Sequence, residues 1–313
     1  MAPATSDLKT GNAVVAYFDI LGTKQRFKNG APFRSWKETD LPASKEIERM
    51  YRAQKRIVKW LDNNANNESF STEDRRLFLL SDCGYLVDFV GHPFDVEYLF
   101  GSALQSISVC QMELVFEGLL IRGGISFGFC GVGPRFISGP GPVCAFLADA
   151  RGNPPLLCVD PVVFNVMIDS YPKGNPTEKS SSYNWFVSSF WYDRFVVDGK
   201  TNNIYLNYMS DWEGCESIYP QADLFELQKR MILSEGVKSE EAFEKYGIIA
   251  RLHNYTLAHK FPCLSDEEME QLSIPEEFFK RGNTSEWPKF ISARSYFQSL
   301  FNKTANQMFN KNP

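Results

Sequence analysis

Val14-Val15-Ala16-Tyr17-Phe18-Asp19-Ile20-Leu21-Gly22 is an apolar, β-prone run that ends in one carboxylate and then a glycine. An ionised carboxyl group taken out of water is costly unless a cation accompanies it, so Asp19 reads as a metal ligand. A second apolar run, Leu77-Phe78-Leu79-Leu80-Ser81-Asp82, also ends in an aspartate. Asp82 to Gly84 reads as a tight turn and Gly84 to Val90 as the returning strand, which puts Asp82 at the tip of a hairpin. Two aspartates at the ends of neighbouring strands are the oxygen ligands expected of Mg²⁺ or Mn²⁺ shared with a substrate's phosphates. Two such ions about 4 Å apart would activate an attacking hydroxyl and neutralise a leaving pyrophosphate. The reaction class indicated is phosphoryl or nucleotidyl transfer. The plain alternative is that each aspartate only caps a turn.

The rest of the composition narrows the field. With 313 residues, 43 % of them hydrophobic, the chain has material for a real core. A formal net charge of -5 argues against a nucleic-acid-binding surface, which needs clustered Lys and Arg. A single nucleotide held through metal ions needs no such surface. Seven cysteines stand singly, without a C-x-x-C pair, as in a reduced chain, and the three histidines offer no zinc-binding spacing. Met1 to Gly11 has no apolar core of a signal peptide, and no segment reaches the roughly 18 apolar residues of a membrane span. A soluble, cytoplasmic protein without membrane or nucleic-acid partners is expected.

Along the chain, Gly22 to Ala43 reads as loop. From Ser44 to Asn63, apolar Ile47, Met50, Tyr51, Ile57, Val58 and Leu61 recur at helical steps. Phe94 to Phe116 predicts a second helix, with Leu99, Ala103, Ile107, Cys110 and Leu114 on one face and Gly118 past its end. Strand signals return at Leu119 to Phe129, followed by a glycine-dense hairpin whose backbone closely approaches something else. A short helix over Gly141 to Ala150, a strand over Leu156 to Val159 and a helix over Pro161 to Ser170 come next. Tyr171 to Ser182 reads as a surface loop. Trp185 to Val197 and Ile204 to Met209 are β-prone stretches joined by the turn Asp198-Gly199. Helices are expected over Ala222 to Leu233, Ser239 to Lys260 and Phe290 to Met308. The order predicts an α/β layer with a mostly antiparallel sheet, a domain over 10–215, and a helical extension over 216–313 that could pack on the same domain.

Arg122 stands alone among apolar residues in Leu119-Leu120-Ile121-Arg122-Gly123-Gly124-Ile125. A buried guanidinium needs an anionic partner. A substrate phosphate and a structural salt bridge, for instance to Asp82, both satisfy it. No Gly-Lys-Ser/Thr follows Gly131-Val132-Gly133, which disfavours a P-loop, and a full G-x-G-x-x-G fingerprint is also lacking. Cys83 reads as a small packed residue rather than a nucleophile, and the aromatic cluster Trp185, Phe186, Phe190, Trp191, Tyr192 and Phe195 as core rather than base-stacking platform.

Taken together, Phe18-Asp19-Ile20-Leu21-Gly22, Ser81-Asp82, Leu120-Ile121-Arg122-Gly123-Gly124-Ile125-Ser126-Phe127-Gly128, Gly139-Pro140 with Ala145-Phe146-Leu147-Ala148-Asp149, and Leu157-Cys158-Val159-Asp160-Pro161 resemble, in this order, the class III nucleotide cyclases. The likeness is closer to the bacterial Pycsar pyrimidine cyclases that signal phage infection. It implies a cyclase-homology, ferredoxin-like α+β sandwich working as a head-to-tail homodimer with composite active sites. Asp19 and Asp82 match the two metal-binding aspartates, and Ile20 the residue whose backbone carbonyl helps hold a metal. The implied cofactors are two divalent cations, Mn²⁺ or Mg²⁺. The implied reaction is attack of a nucleoside triphosphate's 3′-hydroxyl on its α-phosphorus, giving the 3′,5′-cyclic monophosphate and pyrophosphate.

The chain departs from the purine cyclases where they carry an asparagine, an arginine and a lysine. Val143, Leu147 and Phe78 stand at the aligned positions. This favours a pyrimidine nucleotide, UTP ahead of CTP, with Arg122 the first candidate for the missing transition-state charge. The rival readings are a cytidylate cyclase, a non-catalytic nucleotide-sensing module on the same fold, and a polymerase-palm relative.

Overall fold

The structure is a computed structural model, and it describes residues 8–21, 41–65, 75–80, 82–90, 96–152, 155–169, 194–210, 221–261 and 263–299. Its first half runs β1 (Lys9–Ile20), α1 (Leu41–Ala65), β2 (Arg75–Leu80), β3 (Cys83–Phe89), α2 (Val96–Phe116) and β4 (Ile121–Gly133). These strands lie in the order β2-β3-β1-β4 with every neighbouring pair antiparallel. That is two interleaved β-α-β units, the ferredoxin-like arrangement.

The sheet then extends. β5 (Phe136–Ser138) turns back on β4, and α3 (Pro140–Arg151) crosses over to β6 (Leu157–Val159), parallel to β4. After α4 (Pro161–Asp169) come β7 (Phe195–Asp198) and β8 (Ile204–Leu206), with β8 beside β6. The helices α5 (Gln221–Gly236), α6 (Glu240–Lys260), α7 (Asp266–Leu272) and α8 (Glu276–Phe279) follow, and β9 (Phe290–Ser292) closes the sheet's far edge against β7. The mixed α/β architecture with a mostly antiparallel sheet is the expected one.

Strand periodicity sorts the core. On β1, Val14, Ala16, Phe18 and Ile20 face the layer that holds Ala53 and Ile57 of α1 with Ala103, Ile107, Cys110 and Leu114 of α2. Ala13 and Val15 face the opposite way, with Cys130 and Val132 of β4 and Ala145 of α3. The other side of α2, through Val109, Met112 and Val115, is covered by Leu224, Phe225, Ile249 and Leu252 of α5 and α6. A helix this apolar all round is stable because it is buried on both sides.

The C-terminal region differs from the sequence expectation at Phe290. The segment Phe290–Ser292 is a strand, because pairing with β7 satisfies its backbone, and the helix begins only at residue 293. The helices α7 and α8 were not anticipated. The loop over 171–182, the aromatic residues 185–192 and the end of the last predicted helix lie outside the described residues.

Candidate active site

Asp19 is the last but one residue of β1 and shares the face of Val15 and Tyr17, the face covered by α3. Its cross-strand neighbours are Cys83 on β3 and Arg122 on β4. Arg122 lies on the same face as Asp19, and its Nε donates to Asp19 Oδ2 over 3.1 Å. The guanidinium's Nη2 also stands 4.0 Å from Asp149 Oδ2, on the last turn of α3. The sequence alternatives for Arg122's protein partner included Asp82; the strand register makes it Asp19 instead.

Asp82 is a turn residue directly before β3, where its carbonyl accepts the Ile20 amide at 2.8 Å. That bond ties the tip of the hairpin to the end of β1. The backbone beside Asp19 and the backbone of Asp82 are therefore in direct contact, and the charges of Asp82 and Asp149 both act on Asp19.

The glycines explain why α3 can lie here. On β4, Arg122, Gly124 and Gly128 share the α3 face. A Cβ at Gly124 would come within 2.0 Å of the Ala145 carbonyl oxygen and 2.6 Å of the Asp149 amide nitrogen. The close approach expected of the glycine-dense hairpin is thus that of α3. Gly139, at φ 125, makes the turn into α3, a conformation that only glycine takes without strain. Asp149 itself was quoted in the sequence motif without a role. Its place beside Arg122 follows from this packing, and the signal for it was the glycine pair on β4.

Electrostatically the site is short of positive charge. Burial pushes the Asp19 carboxyl above its ordinary value, Arg122 pulls it back, and Asp82 and Asp149 push it up again. Burial also raises Asp149, against the pull of Arg122. Burial disfavours the Arg122 charge, and Asp149 and Asp19 outweigh it, so that guanidinium is held more firmly charged. Burial, followed by Asp19, Cys83 and Asp149, pushes Tyr17 up to about 12. The Cys83 thiol is raised by burial and by Asp82 and Asp19, and its Sγ donates to the Leu80 carbonyl. This is the environment of an inert thiol rather than a nucleophile.

Asp19 and Asp149 thus share one guanidinium, and the charge of Asp82 acts on Asp19 beside them. Among the described residues no three His, Cys, Asp or Glu side chains are gathered closely enough to hold a metal ion by themselves. Magnesium characteristically takes one or two carboxylates and completes its shell with water and substrate phosphates, so Asp19 and Asp82 fit a cation that arrives with a nucleotide. Their donor chemistry, all oxygen, matches Mg²⁺ or Mn²⁺.

Beside the carboxylates lies an aromatic strip. Tyr17 packs on Tyr85 across the β1–β3 ladder at 5.2 Å between centroids and on Phe146 of α3 at 5.3 Å. Further out on α3, Val143, Phe146 and Leu147 are 56 %, 50 % and 51 % exposed, and Phe129 and Phe136 of the neighbouring hairpin are exposed as well. No helix among the described residues is long and apolar enough to cross a membrane.

No protein-family model matches the chain, and no curated protein matches it. Solved structures similar to it include a class III adenylyl cyclase-like ATP-binding protein from Pseudomonas aeruginosa, at 15 % identity over 51 % of this chain and 35 % of that one, with a TM-score of 0.36. The chain therefore spans about a third of that protein's length. It is also similar to the adenylyl cyclase CyaB from P. aeruginosa, at 13 % identity, 52 % and 83 % coverage and a TM-score of 0.34. The monomeric guanylyl cyclase domain of the RhoGC fusion protein from the aquatic fungus Blastocladiella emersonii matches at 12 % identity, 64 % and 97 % coverage and a TM-score of 0.36.

Proposed function

We propose that the chain is a nucleotide cyclase that converts a pyrimidine nucleoside triphosphate, UTP by preference, to its 3′,5′-cyclic monophosphate and pyrophosphate. The observation that carries this reading is the gathering of Asp19, Asp82, Asp149 and Arg122 at one end of β1, β3 and β4. Asp19 and Asp82, with the Ile20 carbonyl, are the groups that would hold two divalent cations. Bound there, the cations would supply activation of the ribose hydroxyl and neutralisation of the phosphates.

The chain's own residues do the rest. Arg122 brings a fixed positive charge to the site, and Asp19 and Asp149 hold it in place from two sides. A guanidinium fixed in advance can meet charge that develops on the phosphate oxygens without reorganising. The rigid β1–β4 ladder beneath holds the groups in register, the kind of preorganisation that turns an intramolecular attack into a fast step. The preference for a pyrimidine rests on Val143, Leu147 and Phe78, apolar where purine cyclases carry polar residues.

The exposed apolar face of Val143, Phe146 and Leu147 supports a homodimer in which a second copy covers α3. In the sense the sequence resemblance gives it, the product would be a second messenger in defence against phage. Incubation of the chain with each of the four nucleoside triphosphates and Mn²⁺, with mass spectrometry of the products, tests the proposal. Cyclic UMP is the expected product; cyclic CMP would make it a cytidylate cyclase. No cyclic product from any of the four, with the protein folded, would overturn the cyclase reading and leave the nucleotide-sensing module and the polymerase-palm relative. Asp82→Ala should abolish turnover while the protein stays folded.

A further inference from the structure

At the opposite edge of the sheet, where β9 joins β7, an open cleft of about 680 Å³ is lined by Lys200, Arg251, Tyr255, Thr284, Lys289 and Phe290 among others. Four strand steps separate β4 from β9, about 20 Å at ordinary strand spacing, so this cleft is separate from the carboxylate site. The geometry points to a second binding site here, for a phosphorylated ligand of mononucleotide size, held by Lys200, Arg251 and Lys289.

The charge balance is the first argument. Arg251 is half-buried, and among the described residues its Nη1 donates only to the carbonyls of Trp287 and Pro288, each at 3.3 Å, while its guanidinium lies 5.2 Å from the Trp287 ring centroid. Lys200 Nζ donates to the carbonyls of Ser285 and, at 2.8 Å, Trp287. Carbonyls and a ring face orient these cations without neutralising them. Among the described residues no carboxylate forms an ion pair with Lys200, Arg251 or Lys289. The carboxylate of Asp198 is close by, but it is buried and occupied by the Lys200 and Lys289 amides and the Thr201 hydroxyl. Burial alone lowers the Arg251 pKa, the behaviour of a cation that lacks a counter-ion.

The second argument is shape. The volume falls in the range of small-molecule sites, and the cleft combines cations with the rings of Tyr255 and Phe290 and the polar side chains of Asn283, Thr284 and Ser285. Phosphate matches the cations, and the rings offer apolar surface to a base. A path to the catalytic end also exists. The turn that carries Lys200 also carries Asn203, whose side chain donates to the Arg151 carbonyl at the end of α3, two residues from Asp149.

Isothermal titration calorimetry on the full chain in EDTA tests this independently of any cyclase activity, with UMP, inorganic phosphate and uridine as probes. UMP should bind at least about tenfold more tightly than phosphate, and uridine should give no measurable heat. Lys289→Gln and Arg251→Gln should each weaken UMP by about tenfold, and Asp82→Ala should leave it unchanged. Lys289 is exposed, so its substitution does not endanger the fold. The proposal is overturned if UMP fails to bind, if it binds no better than phosphate, if Lys289→Gln has no effect, or if Asp82→Ala removes the heat.

Discussion

Arg122 stands directly across the β1–β4 ladder from Asp19 and donates to it over 3.1 Å. Both side chains remain partly exposed, 34 % for Arg122 and 23 % for Asp19, so the pair contributes little to stability, about 0–1 kcal/mol. What it does is fix one positive charge between Asp19 and Asp149 where solvent still reaches it.

Replacing that charge separates catalysis from folding. Arg122→Gln should lower turnover by about 100-fold or more, the size of effect seen when one preorganised charge-stabilising group is lost. The change in unfolding free energy should stay within about 1 kcal/mol. Arg122→Lys should recover only part of the activity, since an ammonium cannot present the planar fork that reaches Asp19 and Asp149 together. Cyclic-nucleotide assay and urea titration of the same preparations make the measurement. Unchanged turnover in Arg122→Gln would reduce Arg122 to a strand-pairing residue.

The outer face of α3 gives a second prediction. Leu147 is half-exposed in the single chain, so Leu147→Glu should leave the monomer's stability nearly untouched. If a second copy covers this face, a carboxylate buried there without a partner weakens the dimer by about 100-fold or more. Analytical ultracentrifugation should then find monomer where the parent chain dimerises, and turnover should fall in parallel. A monomeric parent chain with full activity would contradict the composite site.

What could be read beforehand divides along physical lines. The placing of Asp19 and Asp82 beside strand ends was legible because an unbroken apolar run ending in an acid is a local pattern. Arg122's need for an anion was legible, but its choice of Asp19 over Asp82 is set by register across a ladder of residues 103 positions apart. The place of Asp149 beside Arg122 was not legible, since nothing within α3 tells which strand it will cross. That depends on Gly124 and Gly128, which leave β4 bare beneath it. Phe290–Ser292 was misread for a related reason: a three-residue strand has too little pattern of its own, and β7 decides it.

Gly124 therefore carries a prediction about both stability and site geometry. A methyl group there meets two backbone atoms of α3, at 2.0 and 2.6 Å, and neither can move without the helix. Gly124→Ala should cost about 1–3 kcal/mol in urea unfolding. It should also lower turnover beyond any loss of folded protein, because the displaced helix takes Asp149 away from Arg122. Gly131→Ala is the control: its Cβ would find only side-chain atoms at 3.4 Å and beyond, and stability should change by no more than about 0.5 kcal/mol.

His253 supplies the pH dependence. It is fully buried on α6, its Nε2 bonds to the Leu272 carbonyl at 3.0 Å, its ring meets Phe225 edge-on, and its Nδ1 has no hydrogen-bond partner among the described residues. Protonation at Nδ1 would bury an unpartnered N–H and a charge, and burial, opposed by the Leu272 bond, lowers this imidazole to about 4. Above pH 6.5 the ring is neutral in both folded and unfolded chains and contributes no pH dependence. As the pH falls from 6.5 towards 4, the unfolded chain takes up a proton that the folded chain refuses, and stability is lost. Below about 4 both states are protonated and the loss stops growing, at about 3 kcal/mol for this one group. His253→Gln should remove that component: urea titrations at pH 7 and pH 4.5 should show the parent chain losing about 2–3 kcal/mol more than the variant. Parallel losses in the two proteins would mean that His253 protonates without resistance in the folded chain.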